Sequence, residues 1–198
     1  MSQQEFWNSK FSRDGYLYGI KPNSFIASKV KSFPRGGKVL CLGEGEGRNA
    51  IFLAKRGMEV TAIDASDIGL SKLHFRALEE GVTVETICAD LNDWEVKEQY
   101  DVIVASYLHM YKEDRAKLFE KIQDSLKPDG IFVGEFFSVN QLNYNSGGPK
   151  DKDLLYTVDD FKKGFALCQG DINEVVTILD EGKGHQGEAS VIRVVVEN

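Results

Sequence analysis

A glycine-rich turn that contains two carboxylates is the first feature of this sequence that suggests chemistry. Gly43, Gly45 and Gly47 alternate with Glu44 and Glu46, directly after the apolar run VLCL. A glycine turn between a strand and a helix exposes backbone N–H groups that usually bind phosphate. Two carboxylates in the same turn repel a phosphate. We therefore expect the turn to bind a ligand that carries positive charge.

Acidic residues also end the next two predicted strands. In an open α/β sheet the ligand binds at the carboxyl ends of the strands, beside the first strand. Asp64 ends the segment EVTAID, and Asp90 ends VTVETICAD. A carboxylate at the position of Asp64 typically accepts both ribose hydroxyls of a nucleoside, and Asp90 is well placed for the exocyclic amine of an adenine. The pair predicts a bound adenosine; the alternative for Asp64 is a turn former, although Ser66 already provides a helix cap.

The glycine spacing separates two adenosine cofactors. NAD places a pyrophosphate against a turn of the type G-x-G-x-x-G, whereas this turn reads G-x-G-x-G, followed by Arg48 and Asn49. S-adenosylmethionine carries a sulfonium and an ammonium group and no phosphate. We therefore predict S-adenosylmethionine as the cofactor. An NAD-dependent oxidoreductase and a cofactor-binding protein without catalysis are the alternatives.

Two histidines are candidate catalytic residues on the substrate side. Methyl transfer needs a base only where the nucleophile must lose a proton. His109 follows the fourth predicted strand, and His185 lies in the connection GKGHQG, where the alternative is an exposed hairpin residue. His74 lies in the middle of a predicted helix and is expected to be structural. Aromatic residues that are candidates for the wall of the site, or else for the core, are Trp7, Tyr18, Tyr107 and Phe136.

The elements that must position these residues alternate between strand and helix from Val39 to Phe137. Short continuous apolar runs are typical of strands buried on both faces. The alternation predicts a parallel sheet with helices on both faces. Predicted strands cover residues 37–43, 59–64, 82–90, 100–108 and 131–137, and predicted helices cover residues 47–57, 66–81 and 113–130.

The flanking segments complete this pattern. Residues 1–20 are rich in aromatic side chains and predict a short helix and a loop, and residues 22–33 predict a helix with Pro22 in its first turn. After the core come a Gly/Asn-rich loop at 140–153 and a helix at 157–166. The last two runs, 172–182 and 189–198, share a short Gly-rich connection and predict an antiparallel hairpin.

Composition limits the function classes. A chain of 198 residues with a formal net charge of −7 is enough for one domain, and its negative charge argues against binding to nucleic acid or to an anionic membrane. It contains no run of 18 apolar residues, and its first residues lack the core of a signal peptide. Three cysteines without metal-like spacing favour a reducing cytoplasm and no metal site.

The chain resembles the S-adenosylmethionine-dependent methyltransferases with a Rossmann-like sheet, and in particular the small bacterial tellurite-resistance-type proteins. The resemblance covers nearly the whole chain and is carried by these segments: VLCLGEGEGRNAIFLA, VTAID, CADLNDW, LKPDGIFVGEF, GGPKDKDLLYT and the start FWNSKFSRDGYLYGIKPNSF. It implies a three-layer α/β/α sandwich with seven strands in the order 3-2-1-4-5-7-6, the last strand antiparallel. Within a single domain, 1–198, it implies an N-terminal lid and helix (1–35), a cofactor-binding core (36–137) and a substrate-side segment (138–198).

The resemblance also implies roles for residues. Many members carry an acid two residues before the first glycine, where this chain has Cys41, so Glu44 is expected to contact the methionine ammonium instead; Cys41 is expected to be a buried small side chain. A histidine near the position of His185 is associated with the substrate side in the tellurite-type proteins.

The predicted partner is a small-molecule substrate, such as a thiol or a soft oxyanion, and the chain is expected to be a monomer or weak homodimer. The residues assigned to cofactor binding are Gly43, Glu44, Gly45, Gly47, Asn49, Asp64, Ala65, Ala89, Asp90, Leu91, Ser106 and Tyr18.

Overall fold

One seven-stranded sheet organises the protein, in a computed structural model that describes residues 2–198. The strands are β1 (Lys38–Leu42), β2 (Glu59–Asp64), β3 (Glu85–Cys88), β4 (Tyr100–Ser106), β5 (Leu126–Phe137), β6 (Gln169–Glu181) and β7 (His185–Glu197). They are ordered β3-β2-β1-β4-β5-β7-β6. Strands β1 to β5 pair in parallel, and β7 is antiparallel to both β5 and β6. The predicted fold class and strand order are confirmed.

Helices cover both faces of this sheet. They are α1 (Gln3–Phe11), α2 (Ser24–Lys29), α3 (Arg48–Ala54), α4 (Asp67–Glu79), α5 (Arg115–Ser125) and α6 (Val158–Gly164). Successive residues of a strand point to opposite faces. Val39 and Cys41 accordingly pack in one hydrophobic cluster with α2, α3 and α4, whereas Leu40 and Leu42 pack in another with α5 and α6. The result is the predicted three-layer sandwich, in which Cys41 is fully buried.

Several element boundaries differ from the sequence-based expectation. Helix α5 ends at Ser125, and β5 already begins at Leu126, before the Pro-Asp-Gly turn that was expected to end the helix. Helix α2 is capped by Asn23, whose side chain accepts a hydrogen bond from the N–H of Ile26. Strands β6 and β7 are each 13 residues long and leave only residues 182–184 between them. His185 consequently lies in a strand and not in the hairpin connection.

The segment between α1 and α2 is fastened across the carboxyl edge of the sheet. Lys72 of α4 donates to the carbonyls of Arg13 and Gly15, at 2.8 and 2.7 Å. Arg76 of the same helix donates to the carbonyl of Ile20. Leu17 is held from the other side, because its carbonyl accepts the N–H of Gly184 in the β6–β7 connection. The segment therefore covers the edge at which the ligand site was predicted.

No helix within residues 2–198 is long and apolar enough to cross a membrane.

Candidate functional site

Three cavities follow one another along the carboxyl edge of the sheet. The turn cavity, of about 70 Å³, is lined by residues 43–48 together with Phe11, Asp64, Ser106 and Leu108. The strand-end cavity, of about 50 Å³, is lined by Asp64, Ala65, Ala89, Leu91, Asn92 and Asp114, among others. The outer cavity, of about 660 Å³, lies between α1, residues 147–149 and the β6–β7 connection.

The glycine turn that joins β1 to α3 forms the floor of the turn cavity. Its three glycines have φ values of 60°, 59° and 88°, in a region that L side chains rarely adopt. A Cβ atom on Gly43 would lie 2.6 Å from Cδ1 of Leu108, and one on Gly45 would lie 2.9 Å from Cζ of Phe11. The turn requires glycine for its backbone conformation and because these two side chains pack directly on it.

Glu44 caps helix α3 from inside the turn. Its Oε1 atom accepts hydrogen bonds from the backbone N–H groups of Asn49 and Ala50, at 2.7 and 2.8 Å. The N-cap residue, Gly47, has no side chain that could do this, and the helix dipole favours a carboxylate there. Burial nevertheless raises the pKa of Glu44 to about 7. Because Glu44 also lines the turn cavity, its contact with a cofactor ammonium stays a prediction.

Glu46 fastens the N-terminal segment to the turn. Its Oε2 accepts the N–H of Leu17 at 2.7 Å, and its Oε1 accepts from Lys72 Nζ at 2.9 Å. The carboxylate is buried and forms an ion pair with Lys72. Glu44 and Glu46 therefore both line the turn cavity and accept hydrogen bonds that hold α3 and the N-terminal segment in place.

Asp64 lies where the turn cavity and the strand-end cavity meet. Its two carboxylate oxygens accept the N–H groups of Gly45 and Ser66, both at 2.8 Å. Each oxygen has a second lone pair available for a ligand hydroxyl. Burial raises the pKa of Asp64 to about 6. This placement agrees with a role in binding ribose hydroxyls.

The remaining predicted cofactor residues divide into two groups. Ala65, Ala89 and Leu91 line the strand-end cavity, and Ser106 and Tyr18 line the turn cavity.

Asp90 and Asn49 lie behind the cavities instead. Asp90 accepts the N–H of Asn92 in its own turn, at 2.9 Å. Asn49 donates to Ser106 Oγ at 3.0 Å and accepts the N–H of Asn23 at 2.8 Å. Their side chains are held by neighbouring residues, and the structure does not bring them to the cavity lining.

Four aromatic side chains, Trp7, Tyr18, His109 and His185, form what we call the aromatic wall. All four line both the turn cavity and the outer cavity. The rings of Trp7 and His109 are 5.4 Å apart, and Tyr18 stacks on His185 with 4.4 Å between ring centroids. The same four side chains therefore face both cavities.

His185 is a buried member of the wall, with only 3% of its surface exposed. The edge of its ring faces Tyr107, with 4.4 Å between centroids, and Phe137, with 5.1 Å. Its Nδ1 atom lies 3.8 Å from Glu181 Oε2, too far for a hydrogen bond, and has no other partner among residues 2–198. Burial is the main cause that lowers the pKa of His185. The imidazole is therefore neutral near pH 7 and keeps an uncommitted nitrogen.

His109 occupies the loop after β4 and lines all three cavities. Burial, with a smaller repulsion from His185, lowers its pKa to about 4. A neutral imidazole can accept a hydrogen bond or a proton. Both predicted histidines consequently lie at the same wall, one after β4 and one at the start of β7.

A buried polar network lies under the wall. Glu135 of β5 accepts from Tyr107 Oη at 2.7 Å, from Asn23 Nδ2 at 2.8 Å and from Arg193 Nε at 2.7 Å. Tyr107 has a φ of 52°, a strained conformation for a non-glycine residue. The network joins segments that are far apart in sequence, so no local pattern predicts it.

Two other expectations are resolved by position. Phe136, a candidate for the wall, is wrong in that role, because its side chain faces α6 and packs against Tyr156 and Phe161 in the core. His74 is exposed on α4, away from the cavities, as expected of a residue outside the site. Within residues 2–198 we find no cluster of side chains suited to hold a metal ion.

The charges of the turn cavity match a cationic ligand better than a pyrophosphate. Glu44, Glu46 and Asp64 line it, and its single cationic residue is Arg48. The guanidinium of Arg48 is already paired with Glu181 at 2.8 Å. A pyrophosphate would therefore meet three buried carboxyl groups and an engaged arginine, whereas a sulfonium or ammonium group would be attracted.

Comparisons with known proteins agree with this geometry. Residues 39–130 match the family model of a methyltransferase domain. The chain is 32% identical over 104 residues to the uncharacterized methyltransferase YbaJ from Bacillus subtilis, covering 52% of this chain and 41% of YbaJ. It is 34% identical over 74 residues to the probable S-adenosyl-L-methionine-dependent methyltransferase TehB from Haemophilus influenzae, covering 37% of this chain and 26% of TehB. The alignments thus span about half or less of these relatives.

Solved structures extend the similarity of fold to the whole chain. The crystal structure of Haemophilus influenzae TehB aligns over 100% of this chain and 67% of its own, with a TM-score of 0.73 and 17% identity. The N-methyltransferase NodS from Bradyrhizobium japonicum, solved with S-adenosyl-L-homocysteine, aligns over 100% of this chain and 99% of its own, with a TM-score of 0.72 and 12% identity.

The match over residues 39–130 and the similarity to these relatives bear out the predicted resemblance to the S-adenosylmethionine-dependent methyltransferases. The description of TehB as S-adenosyl-L-methionine-dependent and the S-adenosyl-L-homocysteine bound to NodS agree with the predicted cofactor.

Proposed function

We propose that this chain uses S-adenosylmethionine to methylate a small-molecule acceptor, such as a thiol or a soft oxyanion. The observation that carries the proposal is the position of the aromatic wall, which separates an acid-lined turn cavity from a larger outer cavity. A donor in the first and an acceptor in the second would approach each other at this wall. The net charge of −7 supports a partner other than nucleic acid or a membrane surface, and we propose a cytoplasmic monomer or weak homodimer.

The reaction needs alignment more than it needs strong acids or bases. When bound, S-adenosylmethionine would supply a methyl group activated by a positively charged sulfur, which would leave with the C–S electron pair when the acceptor lone pair bonds to the methyl carbon. Asp64 and the glycine turn would hold the cofactor, while Trp7 and Tyr18 would exclude water from the path of transfer. The buried, hydrogen-bonded carboxylate of Asp64 supports this positioning of the cofactor.

A proton must leave when the acceptor is a thiol. His185 is our first candidate to accept it, because its imidazole lines both the turn cavity and the outer cavity. His109 is the second candidate, since it lines the same cavities. An acceptor that is already an anion would need no base, and His185 would then only orient it.

Transfer of a labelled methyl group tests the proposal. The chain is incubated with methyl-labelled S-adenosylmethionine and a panel of thiols, selenite, tellurite and small acids, and both labelled product and S-adenosylhomocysteine are measured. We expect equal amounts of the two products with at least one acceptor, and about tenfold less of both with Asp64→Ala at sub-saturating S-adenosylmethionine. Tight binding of S-adenosylmethionine without transfer to any acceptor would instead indicate a cofactor-binding protein, and binding of NAD alone would contradict the proposal.

A further inference from the structure

The outer cavity differs in charge from the rest of the molecule. It is lined by Lys10, Arg13 and Lys183 and, among the described residues, by no aspartate or glutamate. The chain as a whole has 31 acidic against 24 basic residues. A cavity with only cationic charges in an acidic protein concentrates positive potential at one place.

These cationic groups have no carboxylate partners. Within residues 2–198, ion pairs engage Lys38, Lys55, Lys72 and Lys127 elsewhere on the surface, but none involves Lys10, Arg13 or Lys183. The contacts recorded for two of them are weak or local: Lys10 lies over the ring of Phe6, and Arg13 Nε donates to the carbonyl of Lys10. Their charges are therefore available to a ligand.

The same cavity has a large apolar surface. Its apolar lining residues are Phe6, Trp7, Leu17, Tyr111, Pro149 and Leu154. Its volume of about 660 Å³ falls in the range of roughly 300–1,000 Å³ typical of pockets for organic ligands. An inorganic oxyanion alone would leave most of this surface in contact with water. The lining suits a molecule with an apolar body and an anionic group.

We propose that the outer cavity selects an organic anion as the methyl acceptor: an apolar body that carries a carboxylate or a similar anionic group, held by Lys10, Arg13 and Lys183, with its nucleophilic atom at the aromatic wall. This inference rests on the proposed function, and the methyl-transfer reaction is the same. The acceptor nucleophile bonds to the methyl carbon, the C–S bond breaks, and a thiol proton passes to His185 or to solvent.

The test compares acceptors that differ only in charge. Mercaptobenzoate and its uncharged methyl ester are methylated by the wild type, by Lys10→Glu/Lys183→Glu, and by the control Lys31→Glu/Lys97→Glu. The control changes net charge equally, at two exposed lysines outside the three cavities. We expect the wild type and the control to prefer the acid in kcat/KM by about tenfold, and the cavity variant to lose that preference. Equal preference in all three proteins would overturn the proposal.

A binding measurement separates this inference from the proposed function. Anilinonaphthalene sulfonate, an apolar body with one anionic group, is titrated by fluorescence into each protein saturated with S-adenosylhomocysteine. Weaker binding only to Lys10→Glu/Lys183→Glu, without methyl transfer to any thiol, oxyanion or small acid of the panel, would support an organic-anion cavity and contradict the methyltransferase activity. Equal methyl transfer to the acid and the ester, with the same probe binding to the wild type and to Lys10→Glu/Lys183→Glu, would support the methyltransferase activity. The same result would overturn the proposed selectivity for anions. Transfer only to selenite or tellurite, without competition by benzoates, would also overturn the inference.

Discussion

The turn cavity and the outer cavity share one wall and differ in almost everything else. The turn cavity is small and acid-lined, and its floor is one continuous stretch, residues 43–48. The outer cavity is about nine times larger, cationic, and assembled from α1, the loop near residue 148 and the β6–β7 connection. The first is suited to a cationic methyl donor and the second to an anionic acceptor, and opposite charges favour their approach across the wall.

The N-terminal segment belongs to both cavities and connects them. Trp7 and Tyr18 line each of them. Phe11 packs on Gly45, and Glu46 holds the N–H of Leu17. The carbonyl of Leu17 reaches in the other direction to Gly184. A ligand in either cavity therefore contacts the N-terminal segment, which also lines the other cavity.

Removal of the His185 imidazole should produce the largest effect. His185→Ala is expected to lower turnover of a thiol acceptor about 10²-fold, the usual scale for a positioned acid–base group, with cofactor affinity unchanged. Turnover is measured with a verified acceptor between about pH 6 and pH 9, and thermal unfolding shows whether the variant remains folded. The exposed His74→Ala is the matched control. Equal turnover in His185→Ala and wild type would assign His185 to structure and make His109 the candidate.

Loss of the Asp64 charge should affect only the donor side. Asp64→Asn is expected to weaken binding of S-adenosylmethionine by about tenfold or more, because a charged acceptor for the ribose hydroxyls is lost. Asp171→Asn, an exposed residue of β6, is the control. Isothermal titration calorimetry measures both. If acceptor KM rose while donor affinity stayed constant, Asp64 would belong to the other cavity.

The affinity of the donor should also depend on pH. Burial raises the pKa of Asp64 to about 6 and of Glu44 to about 7, so both gain protons as the pH falls through this range. The ionised forms attract a cation and accept hydroxyls, so affinity should fall at least about fourfold between about pH 7.5 and pH 5.5, which is the loss expected from Asp64 alone. Asp64→Asn should flatten this dependence. An affinity that rises toward acid pH would contradict the assignment of these carboxyls to the donor side.

The smallest expected effect is a change in dynamics of the shared segment. Hydrogen exchange in residues 5–20 should slow by a few-fold when S-adenosylhomocysteine binds, because α1 and its following loop close over the turn cavity. Helix α6, which lies outside the three cavities, is an internal control in the same experiment. Unchanged exchange in residues 5–20 would show that the segment is not a lid.

The two cavities also differ in how far their residues could be predicted. The glycine turn, Asp64 and the strand ends are local patterns, so the cofactor class and most of the donor-side residues followed from the sequence. The family resemblance supplied the strand order. Glu44 illustrates a limit, because its negative charge suggested a ligand contact while its carboxylate also caps α3.

The acceptor side was largely hidden because its residues are distant in sequence. Lys10, Arg13 and Lys183 have no shared spacing and become neighbours only when α1 and the β6–β7 hairpin reach the same edge. Asn92 and Asp114 of the strand-end cavity are another such pair; Asn92 lies in the quoted segment CADLNDW, but Asp114 carries no signal of its own. The sequence left Phe136 open between the wall and the core, because an aromatic residue near a strand end can face either, and the structure places it in the core.

A crystal structure of the protein grown with S-adenosylhomocysteine tests the central claim most directly. We predict the ribose hydroxyls at the carboxylate of Asp64, the adenine in the strand-end cavity beside Ala89 and Leu91, and the sulfur at the aromatic wall, with the outer cavity open on its far side. Density for the ligand in the outer cavity, or a ligand that contacts neither Asp64 nor the glycine turn, would contradict the division into a donor side and an acceptor side.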